Sequence, residues 1–345
     1  MAETSARYQL YVGVDIAAET FTAAWLPPGG TPAAPLTREQ TPAGFAALQQ
    51  RLQATGARSA ETLVVLEATG NYWVALAVTL HEAGYRVAVV NPRQAHHFAK
   101  AQLRRAKTDA LDAQDLARLA AALQPAPWTP PPAVYHQARQ RLVARDGLLA
   151  MRTQARNQRH ALLQWPVVVE GVRQHLDELI ADLDRRIAGL EAELAAVLEA
   201  SDWAESLACL TSAPGIGLVT AAWLLVGTLN FTLCAGPTAL TGYAGLAPMP
   251  RESGRSIRGR PRIGHDGNGR LRTALYMATL SAARHNPAIK AFYERLRAAG
   301  KPIKVARCAA ARKLLHQAWA LATKQQRFDP EHKQQQHAAV PDLAA

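Results

Sequence analysis

Apolar residues come in short runs over the first ninety positions and in helical spacing beyond them. Gln9-Leu-Tyr-Val-Gly-Val-Asp15 and Thr20-Phe-Thr-Ala-Ala-Trp-Leu26 read as two strands around a turn, closed by Pro27-Pro-Gly-Gly30. Thr41-Pro42 opens a helix through Leu52, with Pro at the first helical position. A strand from Thr62 to Glu67 leads through Ala68-Thr-Gly-Asn71 into a helix over 72–83. Gly84 ends that helix, and Tyr85-Arg-Val-Ala-Val-Val90 is a further strand, stopped by Asn91-Pro92. Helices follow at about 93–103 and 108–123. A strand hairpin followed by alternating strands and helices predicts an α/β domain with a mixed sheet.

Pro125–Pro132 is rich in proline and marks a domain boundary. Residues 133–164 carry few helix breakers. After Trp165-Pro166 a heptad runs through Leu176, Ile180, Leu183, Ile187, Leu190, Leu194 and Val197, a coiled-coil seam through which self-association is expected, with an amphipathic helix packed on its own domain as the alternative. From Asp202 the chain is again helical, with helices over 218–228, 268–285, 287–299 and 302–324. The Gly- and Arg-rich stretch from Gly242 to Gly269 reads as loop, and the tail 330–345 as disordered. The division is thus 1–125, 126–202, 203–328 and a tail 329–345.

Within this pattern four acids are out of place. Asp15 interrupts an apolar run and Glu67 ends one, while Asp109 and Asp112 open the predicted helix of 108–123. Carboxylates on buried strands are costly unless a cation compensates them. If the four converge, their repulsion makes a bound divalent metal, Mg²⁺ or Mn²⁺, the simplest way to keep them ionised. Asp115 extends the same helix and is a decoy. Helix-dipole decoration explains Asp109 and Asp112 alone, but not the two strand carboxylates.

Charge then suggests what the site acts on. The 345 residues carry 39 Lys and Arg against 27 Asp and Glu, and only eight of the cations are Lys. A pI near 10.0 implies a polyanionic partner, and the planar Arg fork suits phosphate. No apolar run is long enough to cross a bilayer and no leader segment is evident, so a cytoplasmic, nucleoid-associated protein without membrane contact is expected. Three scattered cysteines form neither a disulfide framework nor a metal quartet.

Three stretches are candidates for binding nucleic acid. Arg139, Arg145, Arg152 and Arg156 lie on the helix after the boundary. Pro214-Gly215-Ile-Gly217 reads as the turn of a helix-hairpin-helix, with backbone N–H groups suited to a phosphate, or as a plain helix–helix turn. Arg251, Arg255, Arg258, Arg260, Arg262, Arg270 and Arg272 cluster against Glu252 and Asp266 alone. Ser253 and Ser256 lie inside that cluster. By chemistry alone they read first as hydroxyls that bind phosphate or cap a turn, with nucleophilic attack on phosphorus as the alternative.

Taken in order, several motifs resemble one family. They are Val12-Gly-Val-Asp15, Glu67-Ala-Thr-Gly-Asn-Tyr-Trp73, Lys107-Thr-Asp-Ala-Leu-Asp-Ala113, Pro214-Gly-Ile-Gly217, Thr241-Gly-Tyr-Ala-Gly-Leu-Ala-Pro248, Ser253-Gly254 and Gly267-Asn268. Over residues 8–325 the chain resembles the DEDD-type insertion-sequence transposases, the bridge-RNA-guided insertion-sequence one-ten family. The resemblance implies an RNase H-like (RuvC-like) N-terminal domain with Asp15, Glu67, Asp109 and Asp112 as metal-holding catalytic residues. It also implies coiled-coil middle helices and a mainly helical C-terminal transposase domain carrying a serine nucleophile, Ser253 with Ser256 as fallback. The implied reaction cuts and rejoins DNA through a phosphoserine intermediate, with an element-encoded RNA pairing to donor and target DNA. A dimer or tetramer, in which serine and carboxylates meet within or between subunits, is expected. Two other readings remain: a RuvC-type junction nuclease, needing the carboxylates but no serine, and a non-catalytic nucleic-acid-binding relative. His265 and Asp266 depart from the family pattern.

Overall fold

A computed structural model describes residues 8–102, 108–253, 257–264 and 267–331, with backbone alone over 250–253 and 257–262. The chain divides into two compact units, Met1–Pro130 and Pro131–Ala345.

The first unit is built on five strands: β1 (Leu10–Ile16), β2 (Thr20–Leu26), β3 (Leu36–Glu39), β4 (Thr62–Glu67) and β5 (Arg86–Val90). Their order is β3-β2-β1-β4-β5. β1–β2 and β2–β3 are antiparallel, whereas β1–β4 and β4–β5 are parallel. This mixed order is consistent with an RNase H-like domain. α1 (Pro42–Gln53) lies between β3 and β4 and α2 (Trp73–Glu82) between β4 and β5, while α3 (Pro92–Ala101) and α4 (Asp109–Leu123) follow β5.

The period of two along each strand separates the two faces of the sheet. Val12, Val14, Val64 and Leu66 pack with Phe45, Leu48 and Leu52 of α1 and with Leu76 and Leu80 of α2. Tyr11, Leu63, Val65, Ala88 and Val90 pack on the other side with Leu116, Ala117, Leu119 and Ala120 of α4. Because helices cover both faces, the central strands are apolar throughout, which is why they read as continuous runs. Each fully buried Val or Leu contributes about 1.5–3 kcal/mol. β3 is absent from the sequence reading: three of its four residues are exposed, so it has no apolar pattern to find. Its pairing with β2 defines it, aided by a hydrogen bond between the Thr22 and Thr37 hydroxyls at 2.9 Å.

The second unit holds a long helix pair, α5 (Ala133–Leu162) and α6 (Glu170–Glu199), and a helical C-terminal region. That region comprises α7 (Ala204–Thr211), α8 (Leu218–Thr228), α9 (Pro237–Tyr243), α10 (Gly269–His285), α11 (Pro287–Ala298) and α12 (Ile303–Lys324). One core runs from Val134, Ala138 and Leu142 of α5 and Leu194 and Leu198 of α6 into Leu210, Leu225, Leu275 and Leu314.

The stretch expected as loop contains a hairpin, β6 (Pro248–Ser253) and β7 (Ile257–Ile263). Its Gly, Pro and Arg content masks strand propensity, and a register shift between Met249 and Arg251 breaks any alternation. The expected disordered tail lies outside the described residues from 332 onward.

Ion pairs join α5 and α6 in reversed order: Arg141–Glu193 at 3.0 Å, Arg145–Glu191 at 2.5 Å, Arg152–Asp184 at 2.5 Å and Arg159–Asp177. The helices are therefore antiparallel. Leu183, Ile187 and Leu194 of the heptad seam are buried in this unit. The stripe that the sequence assigns to self-association thus lies along a helix of the same chain.

Candidate active site

Strand register brings the first two acids together. The β1–β4 ladder ends at Val14–Leu66, and one residue further sets Asp15 beside Glu67 at the carboxyl ends of parallel neighbours. Both continue the series that faces α4: Tyr11 and Gly13 precede Asp15, and Leu63 and Val65 precede Glu67. Asp15 is half-buried, and Glu67 accepts a hydrogen bond at 2.8 Å from the Thr69 hydroxyl.

The other two acids arrive on α4. Thr108 caps this helix, its hydroxyl accepting from the Leu111 N–H at 3.3 Å. Asp109 and Asp112 occupy the first turn, where the helix dipole favours negative charge. α4 reaches the sheet at Gly13, where a Cβ would lie 2.6 Å from the Leu116 carbonyl carbon and would also collide with Ala113 and Ala117 backbone atoms. Glycine there lets the helix lie against the strand, with its amino-terminal turn toward the Asp15 end.

The charges that act on Asp15 include those of the other three acids. Asp15 has its pKa raised to about 6, first by burial and then by the charges of Asp112, Asp109 and Glu67, against a hydrogen bond from the Ile16 backbone that lowers it. Among the described residues no group of three or more His, Cys, Asp or Glu side chains is placed so that it could hold a metal ion as it stands. The fit to a hard divalent cation rests on the chemistry of the donors, four carboxylates of which Asp15 is half-buried; Asp15, Glu67, Asp109 and Asp112 would hold it. Asp115 is buried and paired with Arg118 of its own helix at 2.9 Å. Lys107 of the same motif lies outside the described residues.

Two positions escaped sequence reasoning. Gly13, a lone glycine in a strand two residues before an acid, is the available signal for close backbone approach. Thr69, two residues after Glu67, gives no signal in the sequence until the loop is folded.

In the second unit Ser253 ends β6, opposite Ile257, and Arg251 pairs with Gly259. Arg258, Arg260 and Arg262 lie on β7. Gly254, Arg255, Ser256, His265 and Asp266 lie outside the described residues. Arg270 binds Asp146 at 2.7 Å and lies 5.2 Å from the Trp223 ring centroid. Arg272, on the same helix, is also engaged. Arg145, Arg152 and Arg156 bind acids of α6, and Arg139 donates to the Tyr135 hydroxyl at 2.8 Å. Antiparallel pairing places those acids opposite α5, which the composition of one helix cannot show. Gly215, with φ +101°, packs on α10: a Cβ there would lie 2.7 Å from the Ala282 α-carbon. Gly217 is the exposed N-cap of α8 with open space before it.

Residues 12–165 match a family described as transposase, of the DEDD IS110 type, and residues 207–294 match the transposase IS116/IS110/IS902 family. A pilin gene-inverting protein of Moraxella bovis is 30% identical over 321 residues, covering 92% of this chain and 97% of the relative. The chain belongs to the IS110 family of transposases. Another pilin gene-inverting protein, from Moraxella lacunata, is 31% identical over 323 residues, with the same coverage of 92% and 97%. An insertion element IS900 protein of 42 kDa from Mycobacterium paratuberculosis is 31% identical over 177 residues, 51% of this chain and 43% of that one. As an IS110-family transposase the protein is a recombinase that catalyses DNA strand transfer. The first match spans β1 through α5 and so includes all four carboxylates; the second includes the β6–β7 hairpin. Among the described residues no helix is long and apolar enough to cross a membrane.

Proposed function

We propose that this IS110-family transposase moves or inverts a DNA segment by cutting and rejoining it through a phosphoserine intermediate. The observation that carries the reading is the placement of Asp15 and Glu67 at the carboxyl ends of neighbouring parallel strands, with Asp109 and Asp112 on the first turn of the helix that packs at Gly13. A RuvC-like domain over 1–125 holds Mg²⁺ or Mn²⁺ through these residues. When bound, the ion stabilises charge developing on the scissile phosphate. Residues 126–202 are the coiled-coil linker, and 203–328 the transposase domain bearing Ser253.

Ser253 Oγ attacks phosphorus, loses its proton and forms a new P–O bond, while the P–O bond to one deoxyribose oxygen breaks and that oxygen takes up a proton. The number of phosphoester bonds is unchanged, so attack by another strand's hydroxyl reverses the step without added energy. Arg251, Arg255, Arg258, Arg260 and Arg262 neutralise the phosphates nearby. An element-encoded RNA pairs with donor and target DNA and chooses the sites, and the protein works as a homo-oligomer. The pilin gene-inverting relatives, by their name, favour inversion as one outcome.

The test is a plasmid carrying the gene with its flanking DNA, incubated with protein, RNA transcribed from that flanking DNA, and Mg²⁺. Wild type should yield a covalent protein–DNA adduct on a denaturing gel, Ser253→Ala none, and Ser256→Ala an undiminished amount. Cutting and joining that survives Ser253→Ala overturns the serine step and leaves a carboxylate-only nuclease of the RuvC type.

A further inference from the structure

Beyond Val14 and Leu66 the β1–β4 ladder stops, yet Asp15 and Glu67 are the next residues along each strand. Sheet twist makes neighbouring strands diverge where hydrogen bonding ends. Each is still paired on its other side, Asp15 with Thr22 and Glu67 with Val90, so across the gap between β1 and β4 it is the loops that follow them that remain to be tied together. One side chain does this. Gln40 Nε2 donates to the carbonyl of Ala17 at 3.2 Å and to the carbonyl of Tyr72 at 3.2 Å. Ala17 is two residues past Asp15, and Tyr72 closes the loop that starts after Glu67.

The amide suits the task. Its nitrogen carries two hydrogens, one for each carbonyl, and both partners are acceptors. Gln40 is itself anchored, since its backbone N–H donates to the Glu19 carbonyl at 2.8 Å. The next residue, Thr41, caps α1 by accepting from the Gly44 N–H at 3.2 Å. The loop after Glu67 is held at its other end by the Ala68 N–H on the Val90 carbonyl at 3.0 Å, and the Thr69 hydroxyl ties it to the Glu67 carboxylate. The Gln40 amide is therefore linked to a carboxylate oxygen through two hydrogen bonds, its own to Tyr72 and that of Thr69 to Glu67.

We propose that Gln40 is a positioning residue whose side-chain amide bridges the loops after β1 and β4, sets the spacing of Asp15 and Glu67, and so tunes the affinity of the carboxylate site for its divalent cation. The inference rests on the reading of the four carboxylates as a metal site. Gln40 is not one of the four residues that would hold the metal, and it acts through the loops it joins.

Gln40→Met keeps length and removes both donors, and Gln40→Glu replaces the donors with an acceptor that the carbonyls repel. Full-length protein is titrated with Mg²⁺ alone, following the metal-induced rise in Tm, and amide exchange is measured without metal. Outer-shell losses of this kind cost roughly 10–100-fold in metal affinity. Both variants should need about ten-fold more Mg²⁺ for the half-maximal shift. Exchange at Ala17–Glu19 and Tyr72–Val74 should quicken, and plasmid cutting should recover toward the wild-type rate at saturating Mg²⁺. An unchanged Mg²⁺ midpoint in both variants overturns the proposal, as does a lost maximal rate with an unchanged midpoint. Asp15→Asn, titrated alongside, separates the two failures. If it binds Mg²⁺ like wild type, the metal-site reading fails and the bridge with it; if it alone is impaired, only the bridge fails.

Discussion

The α-carbon of Gly13 faces the backbone of Leu116 so closely that a Cβ built on it would stand 2.6 Å from the Leu116 carbonyl carbon. This contact seats α4 on β1 and carries Asp109 and Asp112 toward Asp15. Gly13→Ala should therefore push the helix outward rather than merely fill space. Overpacking of this kind costs about 1–3 kcal/mol, and the rigid backbone partner places this case at the upper end. Urea unfolding would report the loss, and the Mg²⁺-induced Tm shift should shrink with it.

Asp15 should give the metal-free protein a characteristic pH dependence. Its folded pKa, about 6, lies above the ordinary 3.8, so between these values the folded state holds a proton that the unfolded state has released. The contribution of this group to stability is then present below about pH 4, falls as pH rises through 6 and is lost above it. Asp15→Asn should flatten that slope and raise the metal-free Tm at pH 7.5 relative to wild type. Mg²⁺ should reverse the order at the same pH. Melting curves from pH 4.5 to 8, with and without Mg²⁺, test both signs.

On the α5–α6 pair, apolar seam and surface charge should behave differently. Leu183 is buried, and Leu183→Ala should cost about 2–5 kcal/mol. Asp184 bridges Arg152 and Arg156 at the surface, so Asp184→Asn should barely move Tm. The two released guanidinium groups should instead strengthen salt-sensitive binding to duplex DNA. Neither change should dissociate an oligomer by sedimentation, because Leu183 is buried within the chain and Asp184 is paired within it.

Gly215 and Gly217 should separate packing from phosphate binding. Gly215→Ala drives a Cβ into Ala282 at a φ of +101° and should destabilise the second unit strongly. Gly217→Ala enters open space, so its Tm should change by no more than about 1 kcal/mol equivalent. A drop in DNA affinity with Gly217→Ala at constant Tm would mark the amino-terminal turn of α8 as a phosphate contact. Unchanged affinity would mark it as a plain helix–helix turn.

Much of the first unit was legible because its signals are local. Periodicity, Pro at helix starts and Gly at helix ends located every strand but β3, whose exposed residues leave no pattern. The second unit was legible as helices, but not in how they pair. The heptad of α6 looked like a surface for another chain, and the arginines of α5 like a surface for phosphate. Antiparallel pairing of the two helices brings Asp177, Asp184, Glu191 and Glu193 opposite those arginines. The Arg-rich stretch hid its hairpin because the ladder between β6 and β7, not residue preference, makes the strands.

By itself the sequence determined that four acids stand where acids are costly, in a basic chain whose motifs resemble one family. Only the tertiary structure decided that Asp15 and Glu67 adjoin through parallel register, that Gly13 admits α4, and that Gln40 bridges the loops beyond both strands. Local periodicity depends on neighbours in sequence, whereas these contacts join residues that strand order alone brings together.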